Sequence, residues 1–216
     1  MKKNNIIVEV DCPIEGTSVA IGIINKFLKI NNIKIKKLSI AYDYEYDGYG
    51  IYYPYLIGQK YRIFINPLNC IDIGNENEDD NDPVYPGYCA DLSIFGITIH
   101  EFTHLLQYKV YPNLISEYNK TFPIERFYLN NYSNNEIHDE IAEVMTLYIT
   151  NPYLLKLLSK NHFNFCKKFF KSPVKCTLSK CREIYNSFPI KVKEHLKNHW
   201  NIVLDVNTNK FIKVIK

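Results

Sequence analysis

Short runs of apolar residues alternate with polar stretches along the first 90 residues, a pattern typical of strands joined by loops and helices. Residues 6–10, 33–42 and 61–66 predict three strands. Residues 17–30 have the amphipathic spacing of a helix. The tyrosine- and glycine-rich stretch 43–58 predicts a hairpin or a long loop. We therefore expect this part of the chain to form mainly a sheet.

Helical periodicity begins near residue 91 and continues through most of the remaining chain. The apolar spacing predicts helices over residues 91–109, 136–150, 152–170 and 176–200. Strands followed by helices, without an internal repeat, indicate one α+β domain that spans residues 1–216. Within it we expect a mainly sheet-forming part (1–90), a central helical part (91–155) and a basic helical part (156–216).

Charge is distributed unevenly along the chain. Residues 156–216 contain 14 Lys and Arg against three acids, a balance of +11, whereas the whole chain carries only +3. A basic region of this kind can bind nucleic acid or another anionic partner. Lysines on solvated helix faces give the same count, however, and no Arg-rich cluster or nucleic-acid-binding motif accompanies it. We expect solvated helix faces and keep nucleic acid as an alternative partner.

The chain also lacks the features of a membrane or secreted protein. No apolar run reaches the roughly 18 residues that a membrane span needs, and no signal-peptide core follows Met1. The six cysteines are scattered, which indicates reduced thiols rather than a disulfide framework. We expect a cytoplasmic protein that does not bind a membrane. The sequence does not predict its oligomeric state.

One motif carries the chemistry. The predicted helix 91–109 contains His100-Glu101-Phe102-Thr103-His104, a complete H-E-x-x-H. Histidines four apart project from one face of a helix and can bind one zinc ion, and the glutamate between them can take a proton from a metal-bound water. The alternative is that the two histidines are ordinary hydrogen-bonded core residues. Since the flanking residues are apolar, burial would be costly without a partner, so we expect a Zn²⁺ site.

A catalytic zinc usually has a third protein ligand. No histidine follows His104 at the third-ligand position of the metzincin pattern, so the ligand is expected from the acidic helix downstream. Amphipathicity alone favours Glu140, because this residue lies closest to the apolar stripe of the helix. The spacing leaves several other side chains open: Glu136, His138, Asp139 and Glu143.

A family resemblance narrows this choice. The motif His100–His104, followed by a segment that contains Tyr132, Asp139 and Ala142, resembles glutamate-type (gluzincin) zinc metallopeptidases of the lethal-factor-like and Mlc titration factor type. The resemblance covers roughly residues 92–155. It implies a zincin-like fold, with a small mixed sheet, a motif helix and a helical C-terminal subdomain.

The resemblance also implies roles for single residues. It places the third ligand at Asp139, the active-site tyrosine at Tyr132, and at Glu143 an acid that holds a ligand histidine. The family has glutamate where this chain has Asp139, so this helix must approach the metal more closely or Glu140 must replace it.

These expectations together predict a zinc-dependent peptidase that acts on a protein or peptide substrate. Glu101 would be the general base, and Tyr132 would donate a hydrogen bond to the oxyanion of the tetrahedral intermediate. The alternative is a zincin-like binding protein without catalysis, which holds a protein or anionic partner through its basic C-terminal third. The tyrosines of residues 42–55 either line a groove for an extended peptide or pack against the sheet.

Overall fold

The computed structural model describes residues 6–8, 15–35, 37–57, 60–68, 70, 94–123, 136–173, 202–205 and 210–213. The strands are β1 (Ile6–Val8), β2 (Leu38–Tyr42), β3 (Gly50–Ile57), β4 (Lys60–Ile65), β5 (Ile202–Asp205) and β6 (Lys210–Lys213). The helices are α1 (Glu15–Asn31), α2 (Ile94–Leu105), α3 (Leu114–Thr121), α4 (Ile137–Thr150), α5 (Pro152–Leu158) and α6 (Lys160–Phe169). A π-helix, Leu106–Val110, follows α2 directly. The protein therefore has the mixed α+β composition that the sequence predicts.

The four N-terminal strands form one mixed sheet in the order β1-β2-β4-β3. Strands β1, β2 and β4 are parallel, and β3 pairs antiparallel with β4. All five residues of β2 are buried, as expected for an inner parallel strand. Strand β3 lies at the end of this sheet, and its pairing shifts register between Tyr53 and Ile57. The sheet therefore leaves β3 as the edge strand beside the helices.

Helix α2 is the central helix of the fold. Nine of its residues are buried, and it contacts β3, β4, α1 and α4. Gly50 allows the contact with β3, because a Cβ atom at this position would lie 2.6 Å from Ile97 Cγ2 and 3.1 Å from Glu101 Cγ. Glycine therefore lets the edge strand touch α2 at the level of the H-E-x-x-H motif.

The remaining helices pack around α2 and α4 through aromatic side chains. Phe170 joins three parts of this core, since its ring lies 5.1 Å from that of Phe27, 5.2 Å from that of Tyr111 and 5.9 Å from that of Tyr148. Asn31, at the end of α1, donates to Ser172 O and accepts from Ser172 N. These contacts fix α1 against the segment that follows α6.

Several elements agree with the prediction and others differ from it. The helix predicted over residues 136–150 is present as α4, and the motif helix is present with a π-helical end. Helix α3 lies in a region expected to be a connection. The helix predicted over 152–170 is divided at Ser159, whose side chain accepts from His162 N and caps α6.

The basic C-terminal part contains strands as well as helices. Strands β5 and β6 pair antiparallel, although only helices were predicted after residue 156. Residues 202–204 and 211–212 are short apolar runs separated by the polar residues 207–210, a pattern that also fits two strands joined by a turn. The helix predicted over 176–200 lies outside the described residues. Within the part of the chain that the structure describes, no helix combines the length and apolarity needed to cross a membrane.

Candidate metal centre

The two motif histidines lie side by side on α2. His100 Nε2 and His104 Nε2 are 3.2 Å apart. Their side chains are 6% and 12% exposed, so they are largely withdrawn from water. The four-residue spacing places both imidazoles one turn apart on the same face of the helix. The geometry therefore brings two nitrogen donors together, as the motif predicts.

Asp139, in the first turn of α4, completes the cluster. Its Oδ1 lies 3.3 Å from His104 Nε2 and 3.6 Å from His100 Nε2. Metal–ligand distances near 2.0–2.1 Å in a tetrahedral zinc site place the ligand atoms roughly 3.3–3.4 Å from one another. The three measured separations therefore match those of three ligands around one small cation. Asp139 is 22% exposed, which makes its side the open side of the cluster.

Glu101 extends the same cluster toward the sheet. One of its carboxylate oxygens lies within 4.8 Å of a ring nitrogen of His100 and of His104. The residue is 7% exposed and contacts β3 at Gly50. Tyr46 lies in the loop before β3. Burial raises the pKa of its phenol, and the negative charge of Glu101 raises this pKa further. Glu101 thus lies beside the imidazole nitrogens of His100 and His104 and adds a carboxylate to the cluster.

Glu143 holds His100 from behind. The Glu143 carboxylate accepts a hydrogen bond from His100 Nδ1 over 2.9 Å, and its side chain is fully buried. A carboxylate only accepts, so Nδ1 carries the proton and Nε2 faces His104 and Asp139. Thr103 Oγ1 donates to the carbonyl oxygens of His100 and Ala142, which joins α2 to α4. Both contacts fix the distance between the helices that carry the cluster.

The electrostatics of the cluster suit a cation. Burial alone would lower the pKa of His100, but its contacts with Asp139 and Glu143, together with the charges of Glu143 and Glu101, raise the pKa to about 10. Burial would raise the pKa of Asp139, but its contacts with the two histidines lower it below its usual value of 3.8. The same carboxylates that favour a protonated imidazole also favour a divalent cation.

Two further acidic candidates for the third ligand, Glu140 and Glu136, have other surroundings. Glu140, which amphipathicity favours, accepts a hydrogen bond from Tyr118 OH over 2.6 Å and is 1% exposed. Its side chain is therefore engaged by α3. Glu136 precedes α4 and is exposed. A buried tyrosine on α3 hydrogen-bonds Glu140, and the amphipathic pattern of the sequence does not show this partner.

An aromatic stack borders the cluster on the side of the edge strand. The Tyr108 ring stacks on Tyr52 at 6.2 Å and on His138 at 5.3 Å, and it lies 6.4 Å from the His104 ring. Tyr108 is 39% exposed, whereas Tyr52 is buried. The tyrosines of residues 42–55 are therefore divided: Tyr52 packs inside, and others such as Tyr44 are exposed.

Some predicted site residues lie outside the described residues, and some neighbours were not predicted. Tyr132 is among the former, so its placement relative to the cluster stays a prediction. Gln107 and Tyr108 are among the latter. They follow His104 by three and four residues, the spacing of one helix face, so the sequence did contain a signal for both.

Comparisons with known proteins do not identify this chain. No family model, no curated protein and no solved structure matches it. The resemblance over residues 92–155 therefore stays a prediction, and the function must be argued from the geometry of the site.

Proposed function

We propose that this protein is a zinc-dependent peptidase with a zincin-like arrangement of its sheet and motif helix. The observation that carries the proposal is the triangle formed by His100 Nε2, His104 Nε2 and Asp139 Oδ1, with sides of 3.2, 3.3 and 3.6 Å. Two imidazoles and one carboxylate are a frequent ligand set of catalytic zinc, and they leave a fourth position for water or substrate.

The aspartate fits the ligand role despite its short side chain. Its Oδ1 already lies at ligand–ligand distance from both imidazoles. The longer Glu140 is engaged by Tyr118, which keeps the next residue of α4 directed at α3. The Thr103 hydroxyl, in contact with Ala142 O, supports a close approach of α4 to α2. We infer that Asp139 takes the place of the glutamate ligand of the families that this chain resembles.

The proposed reaction is hydrolysis of a peptide bond. When bound, zinc would lower the pKa of a water molecule and polarise the scissile carbonyl. Glu101 is buried next to the ligand atoms and would accept the proton of the attacking water. It would then donate this proton to the leaving amine nitrogen. Tyr132, whose role comes from the resemblance alone, would donate a hydrogen bond to the oxyanion.

The edge strand offers a way to hold the substrate. Strand β3 ends the sheet and contacts α2 beside Glu101. An extended peptide that pairs with an edge strand gains main-chain hydrogen bonds. Pro54 lacks an N–H, and the register of β3 shifts after Tyr53, so residues 50–53 are the stretch suited to such pairing. This placement favours a protein or peptide substrate in extended conformation.

Zinc analysis and one conservative variant test the proposal. We expect about one zinc per chain in the wild type and its loss in His100→Ala. Glu101→Gln should keep the zinc and the fold, and should abolish cleavage of unfolded protein or of a peptide library. A correctly folded wild type that binds no zinc would refute the proposal, and so would a Glu101→Gln variant that cleaves as fast as the wild type.

A non-catalytic zincin-like binding protein is the second candidate. The aspartate at the third ligand position favours it, because this position differs from that of the resembled peptidases. In that case zinc would hold the site together, and the basic residues of 156–216 would contact a protein or anionic partner. A biological effect that persists in Glu101→Gln would support this candidate, and its loss together with cleavage would exclude it.

A further inference from the structure

The Gln107 side chain lies at the Nδ1 nitrogen of His104, and the Glu143 side chain lies at the Nδ1 nitrogen of His100. Gln107 belongs to the π-helix that follows α2 and is completely buried. Its Nε2 lies 3.5 Å from His104 Nδ1 and donates to His138 O over 3.1 Å. One carboxamide thus contacts a motif histidine and the residue that precedes Asp139.

A metal-bound His104 needs an acceptor at this position. Its Nε2 faces His100 Nε2 and Asp139 Oδ1, so with a metal there the neutral imidazole carries its proton on Nδ1. A buried N–H without an acceptor costs about 1–3 kcal/mol. Glu143 supplies the acceptor for the equivalent proton of His100. Among the contacts of the described residues, Gln107 is the side chain at His104 Nδ1.

The carboxamide oxygen of Gln107 is a hydrogen-bond acceptor close to His104. Gln107 Oε1 is buried and has no hydrogen-bond partner within the described ranges. The terminal torsion of glutamine is broad, so a moderate rotation can direct Oε1 at His104 Nδ1. Metal binding at His104 Nε2 would make Nδ1 a hydrogen-bond donor. Gln107 Oε1 would then gain a donor, and Nδ1 an acceptor.

The π-helix explains how this residue reaches both groups. A π-helix has more residues per turn than an α-helix, so consecutive side chains diverge less. Gln107 Nε2 donates a hydrogen bond to the carbonyl oxygen of His138. The ring of the next residue, Tyr108, stacks on the imidazole of His138. Two consecutive residues therefore hold the start of α4.

We propose that Gln107 is the positioning residue of His104, with Oε1 accepting the Nδ1 proton while Nε2 keeps its bond to His138 O. In this arrangement one side chain fixes the orientation of a ligand imidazole and the first turn of the helix that carries Asp139. The inference rests on the proposed zinc site and concerns metal affinity, not turnover.

Two substitutions at one position separate hydrogen bonding from packing. Gln107→Met keeps the length and removes both polar groups, whereas Gln107→Glu keeps an acceptor. Two quantities would be measured for each variant: the zinc Kd, by chelator competition, and the absorption spectrum of the cobalt-substituted protein. Gln107→Met should raise the zinc Kd about 10–100-fold and alter the cobalt spectrum, because groups that support ligand histidines have effects of this size. Gln107→Glu keeps the acceptor for His104 but loses the donor to His138 O, so its zinc Kd should rise clearly less than that of Gln107→Met.

Ser39→Ala is the control. It removes a buried hydroxyl from β2 and should leave the zinc Kd unchanged. An unchanged Kd in Gln107→Met would overturn the inference, and so would equal losses in the Met and Glu variants. A wild type without zinc would refute the proposed function itself, which keeps the two failures distinct.

A measurement on the unaltered protein covers the case in which a variant does not fold. In the zinc-loaded wild type, nitrogen NMR should show His104 protonated at Nδ1, with slow exchange of this proton with water. An Nδ1 proton of His104 that exchanges as fast as one exposed to solvent would overturn the inference.

Discussion

His100 lies among three carboxylates that favour its protonated form. Two carboxylates, Asp139 and Glu143, contact its ring, and Glu101 adds a third negative charge nearby. In the metal-free protein these charges outweigh burial and raise the pKa of His100 from 6.5 to about 10. The folded protein therefore binds a proton that the unfolded chain releases near pH 6.5.

A pH dependence of stability follows from this raised pKa. Between pH 6.5 and about 10 the folded state binds more protons at His100 than the unfolded state does, so stability falls as the pH rises. The slope reaches at most about 1.4 kcal/mol per pH unit. We expect it in the free energy of unfolding measured with urea in the presence of a chelator.

The matched variant for this measurement is Glu143→Gln. It keeps the shape of the side chain and removes one of the charges that raise the pKa of His100, so the decline should begin at the same pH and end at a lower one. Stability that is constant or increasing between pH 7 and 9 in the wild type, relative to His100→Ala, would contradict the prediction.

Contacts between whole elements decide whether these residues meet. Strand β3 reaches α2 because position 50 is a glycine, and Gly50→Ala would place a Cβ atom 2.6 Å from Ile97 Cγ2. The strand or the helix must then shift. We expect a loss of about 1–3 kcal/mol in the free energy of unfolding and a lower kcat/KM of the proposed peptidase reaction, because Glu101 lies at the same contact.

Gly22→Ala is the control for this substitution. A Cβ atom at Gly22 meets nothing within 4 Å, and the residue lies inside α1. Alanine there should stabilise the protein by up to about 1 kcal/mol, because it is the better helix former. Equal effects of the two substitutions would show that the close approach at Gly50 has no energetic consequence.

The contact of α3 with α4 lies next to Asp139, the proposed third ligand. Tyr118 OH donates to Glu140, the neighbour of Asp139, and both side chains are buried. Tyr118→Phe removes this charged hydrogen bond and should destabilise the protein by about 1.5–3 kcal/mol. We also expect a higher zinc Kd, since the first turn of α4 loses a fixed contact.

Tyr153→Phe is the matched change on an exposed tyrosine and should be neutral in both measurements. If Tyr118→Phe lowers stability but leaves the zinc Kd unchanged, the contact is structural only, and the role assigned to it in orienting Asp139 is wrong.

The sequence predicts elements better than it predicts their contacts. The periodicity of residues 136–150 identified α4, and the motif spacing placed His100 and His104 on one face. Neither pattern shows that Tyr118 engages Glu140, because that partner is 22 residues away in the chain. Helix α3 is harder to predict for a different reason: Leu114–Thr121 is only eight residues long and mostly polar, although Leu114, Ile115 and Tyr118 keep helical spacing.

At the scale of the molecule, two helices from separate parts of the chain converge on one point. Helix α2 contributes two imidazoles and Glu101, and α4 contributes Asp139 and Glu143. Within the described residues the helices are joined there by side chains such as Thr103 and Gln107. A metal bound by both helices would therefore link them directly and add to the stability of the whole fold.

Zinc should stabilise the protein in proportion to its affinity. A ligand that binds only the folded state at 100 times its Kd adds about 2.7 kcal/mol, so Tm should rise on adding zinc and fall with a chelator. Asp139→Asn keeps the size of the side chain but removes the charge that α4 contributes at the triangle, and it should reduce this rise strongly. Glu117→Gln, an exposed acid on α3, should show the full rise. Equal zinc-dependent shifts in the wild type and Asp139→Asn would mean that zinc binds elsewhere and that α2 and α4 are not joined through this aspartate.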